Sequence, residues 1–355
     1  MLYTPARPPE GLAPVRVNLF SDTQTRPTRA MKAAMMEAET GDEQMGLDPS
    51  VNALCDRMAA LTGKQAAVFL PTGTMCNQIA LLVHCARGES ILAHRTAHIL
   101  TSEGGGTAAQ AGAQIIGLDG EGGQFSPDTL REALMPGTRY HPTQRLVSVE
   151  QTANIGGGTV WAQAALDEVA EIAHQNGMAT HMDGARLMNA VVATGVPAAE
   201  MVAGYDSVWL DFTKGLGASL GAVLCGSAAF IDAAWRWKQR MGGAMRQGGL
   251  NAAGCFYALD HHIDRLAEDH ANAAALARGL AQMPGIVVQH PQTNLVFFDT
   301  RGTGRTAQEL CGELRAHGVM VSAMGTYRGR ACTHLDVEAA GIDEALSVFR
   351  TVLAG

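Results

Sequence analysis

No run of about 18 apolar residues occurs in the chain, so a membrane-spanning helix is not expected. An excess of basic charge is also missing. The 26 Lys and Arg are outnumbered by 34 Asp and Glu, a formal net charge of −8, which disfavours nucleic acid or an anionic membrane as the main partner. The seven cysteines are odd in number and never spaced as Cys-x-x-Cys. They read as reduced thiols of a cytoplasmic protein, not as a disulfide framework or zinc site. Met1 to Pro14 has no apolar stretch and carries Pro5, Pro8 and Pro9, so a secretion signal is not expected there. Internal repeats and low-complexity tracts are absent as well.

What is present is an ordinary globular composition, 47% apolar and 17% charged over 355 residues. That length suits one large α/β domain plus a smaller one. Short β-like runs alternate with helical patterns, the signature of a largely parallel sheet covered by helices. A helix opens at Ser50, which can cap it. Val51, Leu54, Cys55, Met58 and Leu61 form its apolar face, and Gly63 ends it. Strands are expected at 66–70, 145–149, 178–182, 207–212 and 220–225, and helices at 74–86, 162–175 and 228–240. A long helical pattern over 251–281 reads as a bridge into a C-terminal α+β domain with strands in 285–300, 319–322 and 330–335. The expected division is 1–257 for the large domain with its N-terminal arm and 258–355 for the small one.

Three signals sit where a phosphorylated, ring-shaped electrophile would need them. The turn Pro71-Thr72-Gly73-Thr74 joins a strand to a helix, and a helix N-terminus offers unsatisfied N–H groups and the positive end of the dipole. Alone this means little, since most such turns bind nothing. The second is His181-Met182-Asp183-Gly184-Ala185-Arg186 at a strand's C-terminal end, where open α/β sheets bind ligands. A carboxylate there can keep a pyridinium nitrogen protonated, although a helix-capping Asp with an Arg partner gives the same letters. The third is Phe212-Thr213-Lys214-Gly215-Leu216-Gly217-Ala218. A lysine after a buried strand is partly desolvated, which favours the neutral amine that forms a Schiff base. Its glycines do not follow the dinucleotide spacing G-x-G-x-x-G. Asp183 and Lys214 are about one helix-plus-strand unit apart and so can end neighbouring strands. The combination is more specific than any part.

These stretches, with Phe20-Ser21-Asp22-Thr23-Gln24-Thr25-Arg26-Pro27-Thr28, Ala97-His98-Ile99, Gly243-Ala244-Met245-Arg246-Gln247 and Arg330-Ala331-Cys332-Thr333-His334-Leu335-Asp336, run almost end to end. On them the chain resembles the low-specificity L-threonine aldolase family, among the β-eliminating lyase and aspartate-aminotransferase-like enzymes of fold type I. The resemblance implies pyridoxal 5'-phosphate as cofactor and retro-aldol cleavage of L-threonine, L-allo-threonine and related L-β-hydroxy-α-amino acids to glycine and an aldehyde. A phenylserine preference or a β-elimination is the alternative. It implies that Lys214 carries the cofactor, Gly73 and Thr74 hold its phosphate, His98 stacks on its ring and Asp183 meets its nitrogen. Arg186 would take the phenolic oxygen or the substrate carboxylate, and Arg330 with Ser21 that carboxylate. His141 would face the substrate hydroxyl, and the base is left open between His141, His98 and water. Arg246 would reach a neighbouring subunit's phosphate, which implies at least a homodimer and commonly a homotetramer.

Departures from the family pattern concern the substrate. Met45 stands where a tyrosine is usual, Ala153 where Glu-Asn-Thr-His ends in histidine, and Gln239 beside Lys238 where a basic residue is common. Loss of the tyrosine and histidine favours larger apolar β-substituents, such as the phenyl of phenylserine. No metal site is expected: His261 and His262 are adjacent on a helix, and His334 with Asp336 lacks further ligands. Glu103-Gly104-Gly105-Gly106 and Gly156-Gly157-Gly158 read as tight loops, and Trp235 with Trp237 as core or subunit packing.

Overall fold

The structure, a computed structural model, describes residue 11 and residues 13–354. Most of the segment in which no secretion signal is expected lies outside the described residues. Among those described, no helix is long and apolar enough to cross a membrane, and the seven cysteines are all free thiols.

The chain forms two compact units, one from residues up to Gln24 together with those from Asp269 onward, the other Thr25–Glu268. This differs from the expected 257/258 division at both ends. The first strand, β1 (Val17–Asn18), pairs in parallel with residues 319 and 320, so the N-terminal arm belongs to the smaller unit. The expected single helix over 251–281 is two helices, Gly249–His261 and Leu266–Leu280. Its apolar periodicity runs on through the break, but the buried ring of His262 turns to the Leu216 carbonyl at 2.7 Å. A tertiary contact thus coincides with a break that the local pattern does not mark.

In the larger unit, β2 (Ala66–Leu70), β3 (Ser90–His94), β4 (Gln114–Leu118), β5 (Gln144–Glu150), β6 (Ala179–Gly184), β7 (Ser207–Asp211) and β8 (Ala222–Gly226) make one seven-stranded sheet, ordered β2-β8-β7-β6-β5-β3-β4. Only β8 runs against its neighbours, so every other strand ends at the same edge. The central strands are buried along their whole length, as a sheet covered on both faces requires. Alternate side chains go to opposite cores. Val208 and Leu210 pack with the helix Gln163–Gln175, whereas Trp209 packs with the helices Gly73–His84 and Ala228–Arg240. Each such buried aliphatic side chain contributes roughly 1.5–3 kcal/mol. The sequence expectation lacked β3 and β4, whose apolar runs are short.

The smaller unit is α+β. β9 (Val287–Val288), β10 (Leu295–Asp299), β12 (Ser322–Ala323) and β13 (Arg328–Cys332) form an antiparallel sheet in the order β12-β13-β10-β9, while β11 (Val319–Met320) is the partner of β1.

The expected cap of the helix Pro49–Thr62 needs correction. Asp48 caps it through Val51 N at 3.1 Å and also accepts from Gly249 N at 2.9 Å, while the Ser50 hydroxyl donates to the Glu39 carbonyl. Beside this corner lies the buried pair Lys238–Glu43. Glu43 also accepts from Met245 N at 2.8 Å, and the Lys238 ammonium stands 4.2 Å from the Trp235 ring centroid. Burial lowers the Lys238 pKa, with Glu43 opposing it. Replacing one partner leaves the other charge buried alone. Lys238→Met should therefore cost about 3–5 kcal/mol in denaturant unfolding, and adding Glu43→Gln should return part of the loss. Additive losses in the double variant would show that the two side chains are not coupled.

Candidate active site

The shared strand edge collects the chemistry. Thr72 follows β2 and caps the helix Gly73–His84 through Met75 N at 3.2 Å. The N–H groups of Gly73 and Thr74 have no acceptor within that helix. His98 lies just beyond β3, Glu150 ends β5, Asp183 is near the end of β6 and Lys214 follows β7. In the sheet register Glu150 faces Asp183, and Asp183 faces Trp209.

Lys214 is held at both ends. Its carbonyl accepts from Thr25 Oγ1 at 2.7 Å and from Gly217 N at 2.8 Å. Its Nζ donates to Asp211 Oδ2 at 2.6 Å, while Asp211 Oδ1 accepts from Thr213 N and Oγ1. The ammonium lies 5.5 Å from the Trp209 ring centroid. Gly73 is tied to that indole, because a Cβ at Gly73 would sit 2.2 Å from the Trp209 ring. The glycine expected to admit a phosphate therefore also makes room for a tryptophan.

Asp183 is buried and its oxygens are shared out. Oδ2 accepts from Asn77 Nδ2 at 2.8 Å and Oδ1 from Ala185 N at 3.1 Å. The same Asn77 amide donates to Glu103 Oε1 at 2.7 Å, and His98 Nδ1 is 2.9 Å from that oxygen. Glu103 Oε2 accepts from Gln78. Asn77 Oδ1 accepts from Trp209 Nε1 at 2.7 Å and meets His181 Nε2 at 3.1 Å. His98, Glu103 and Asp183 thus bring one ligand atom each within 4.8 Å of one another. The Asn77 amide bridges the two carboxylates.

Burial pushes the Asp183 carboxyl above its ordinary range, against the pull of His98, Asn77 and Lys214. Burial, with Asp183 beside it, lifts Glu150 to about 7, although Glu150 accepts from Asn154 N and His98 N. His98 is raised first by its hydrogen bond to Glu103. Burial lowers His181 to about 3. Ionising these buried carboxyls is costly, and a cation placed among them would lower that cost. Each Asp183 oxygen accepts one of these hydrogen bonds and can accept another, so a protonated ring nitrogen at Asp183 fits the donor set.

A family model described as beta-eliminating lyase matches residues 18–303. The low specificity L-threonine aldolase of Escherichia coli strain K12 is 40% identical over 339 residues, covering 95% of this chain and 99% of that one. The chain belongs to this family. The low-specificity L-threonine aldolase 1 of Arabidopsis thaliana is 37% identical, over 95% of this chain and 96% of its own. Among solved structures, threonine aldolase from Leishmania major superposes with a TM-score of 0.81 at 20% identity, covering 95% and 99% of the two chains. It shares the fold.

As a β-eliminating lyase-family enzyme, the chain places its expected site residues unevenly. Asp183, His98 and Lys214 come together at the strand edge, with Gly73 against Trp209. Arg186 is buried in the turn after β6, where its N–H reaches the Gln151 carbonyl at 3.3 Å. Ser21 and Arg330 both lie in the smaller unit, where Arg330 Nη2 donates to the Phe20 carbonyl at 3.3 Å. Arg246 is exposed and pairs with Asp42 at 2.9 Å.

His141 lies apart from these residues of its own chain. It sits before β5, its Nδ1 near Thr138 Oγ1 and the Pro136 carbonyl. The length of β5, about 20 Å, separates it from Glu150, so it does not face the site of its own chain. Ala153 is buried. The Gly122–Gly123 loop closes on Ala153, and a Cβ at Gly123 would lie 2.8 Å from that of Ala153. Met45 is 70% exposed at the surface.

Asn77, Gln78, Glu103, Glu150, Trp209 and Asp211 were not assigned roles from sequence. A signal existed for two of them: Asn77 and Gln78 are adjacent polar residues between the apolar Met75-Cys76 and Ile79–Val83 of their helix, and both are buried.

Because Glu150 holds its proton more tightly folded than unfolded, stability falls as pH rises from 4.5 toward about 7. Glu150→Gln should match wild type in Tm below that window and exceed it above. A Tm difference that does not vary across the window would contradict the assignment.

Proposed function

We propose that the protein is a pyridoxal 5'-phosphate-dependent aldolase that splits L-threonine, L-allo-threonine and related L-β-hydroxy-α-amino acids into glycine and an aldehyde. The observation that carries this reading is the placement of the buried Asp183 near the end of β6 and of Lys214 just beyond the neighbouring parallel strand β7, at the edge where the helix Gly73–His84 begins. When bound, the cofactor supplies a ring that accepts the electron pair released at the substrate Cα.

The rest belongs to the chain. Lys214 provides the amine for covalent attachment, and Thr25 and Asp211 fix where that amine starts. Asp183 accepts from a ring N–H and keeps it protonated, which a carboxylate in a dry site does strongly. The N–H groups of Gly73 and Thr74, with the helix dipole, receive the phosphate. Arg330 with Ser21 is our candidate for the substrate carboxylate, and Arg186 for the ring's phenolic oxygen. With His141 at the far edge of its own sheet, His98 is the histidine placed to take the β-hydroxyl proton as the Cα–Cβ bond breaks. Arg246, exposed beside Asp42, is assigned to a neighbouring copy's phosphate, which makes the working form at least a dimer and, by family likeness, a tetramer.

Product analysis with L-threonine tests the reading. Glycine and acetaldehyde should appear in equal amounts, and Lys214→Ala should abolish their formation. Ammonia with a 2-oxo acid would establish β-elimination in place of aldol cleavage, and unchanged turnover by Lys214→Ala would remove the assigned lysine.

A further inference from the structure

The hydrogen-bond network beneath the site has a direction fixed by one group. An indole N–H can only donate, so Asn77 Oδ1, 2.7 Å from Trp209 Nε1, is an acceptor. The Asn77 amide nitrogen must then be the atom aimed at Asp183 Oδ2 and Glu103 Oε1, at 2.8 and 2.7 Å. Glu103 Oε1 is thereby an acceptor already engaged by one N–H. The His98 Nδ1 atom, 2.9 Å from the same oxygen, has to bring a proton of its own. Gln78 closes the other Glu103 oxygen, and the Glu103 side chain has no exposed surface. Glu103 is not free to turn away. The His98 side chain, by contrast, is 34% exposed. With Nδ1 bonded inward to Glu103, Nε2 is the ring nitrogen left for a ligand.

We propose that Glu103 is a positioning residue: through Nδ1 it locks neutral His98 in the tautomer whose Nε2 lone pair faces the substrate. The proposal rests on the aldol-cleavage reading above and names the group that makes His98 a base rather than a mere stacking surface. In the step itself, the proton of the substrate β-hydroxyl passes to His98 Nε2. The oxygen's electron pair would close the aldehyde C=O, and the Cα–Cβ pair would pass to the electron sink that the cofactor supplies when bound. Glu103 stays ionised and stabilises the imidazolium formed, while Asn77, oriented by Trp209, keeps the carboxylate from rotating. The same indole requires glycine at position 73, so the turn expected to bind phosphate and the orientation of the base share one constraint.

Two readouts separate this from a structural role. In wild-type holoenzyme with labelled histidines, and His98→Phe to assign the signal, nitrogen and carbon shifts should show neutral His98 protonated on Nδ1. Glu103→Leu should release the ring to a mixture of tautomers and lower kcat for L-threonine roughly a hundredfold, with KM nearly unchanged. Glu103→Gln keeps an acceptor without the charge, so it should retain the Nδ1–H tautomer and recover part of the rate. Its acid limb should move to lower pH, because the charge that favours the imidazolium is gone. The other charged groups facing His98, Glu150 from the end of β5 and Asp183 from β6, are present in every variant and bound that shift.

A wild-type signal from His98 protonated on Nε2 would overturn the proposal, as would a Glu103→Leu enzyme with the wild-type tautomer and pH profile. Should Glu103→Leu not fold, the wild-type tautomer decides alone. Failure of the wild type to cleave L-threonine would instead reject the aldol reading, while the tautomer measurement would still judge the role of Glu103.

Discussion

A carboxylate taken out of water needs donors on every side, and much of this site is arranged around supplying them to Asp183. Its nearest donor is the amide of Asn77, and that amide has a defined orientation because the Trp209 indole occupies its oxygen. Trp209 in turn fills the space a side chain at residue 73 would need. One contact between a helix start and a strand therefore sets the carboxylate, the turn expected to receive a phosphate and, through Glu103, the histidine. Burial makes the ionised forms of Asp183 and Glu150 costly, as their raised pKa values show. Carboxyls perturbed in this way are found where a cation is to be received.

The sheet explains why the pieces meet. Parallel strands deliver their C-terminal ends to one edge, so residues far apart in sequence become neighbours without long loops. The single antiparallel strand β8 does not disturb this, since β2 on its other side again points with the rest. Away from that edge, the buried Lys238–Glu43 pair and Asp48 secure the corner formed by residues 41–49 and 244–249.

Much of this was legible in the sequence, for identifiable reasons. β2 and the helix Ala228–Arg240 were read with their observed boundaries because their patterns are strong and their ends are marked by Gly, Pro or Ser. Asp183 and Lys214 were legible because each follows a buried apolar run. What could not be read depended on tertiary contacts. The break after His261 coincides with a ring bonded to the Leu216 carbonyl, and the cap of the helix Pro49–Thr62 moved to Asp48 because that carboxylate also serves Gly249. Glu103 was hidden in a glycine-rich loop, and only the fold brings Asn77 over it. The positions of His141, before the start of β5, and of Ala153, under the Gly122–Gly123 loop, likewise follow from the fold and not from the motifs that contain them.

The account's central claim is that Lys214, and no other amine of the chain, holds the cofactor opposite Asp183. Borohydride reduction of the purified holoenzyme, followed by peptide mapping, tests it most directly. The account predicts visible absorbance that is lost on reduction, with the pyridoxyl mass found on the peptide containing Lys214. The mass on Lys238, Lys64 or any other lysine, or no retained mass at all, would contradict it.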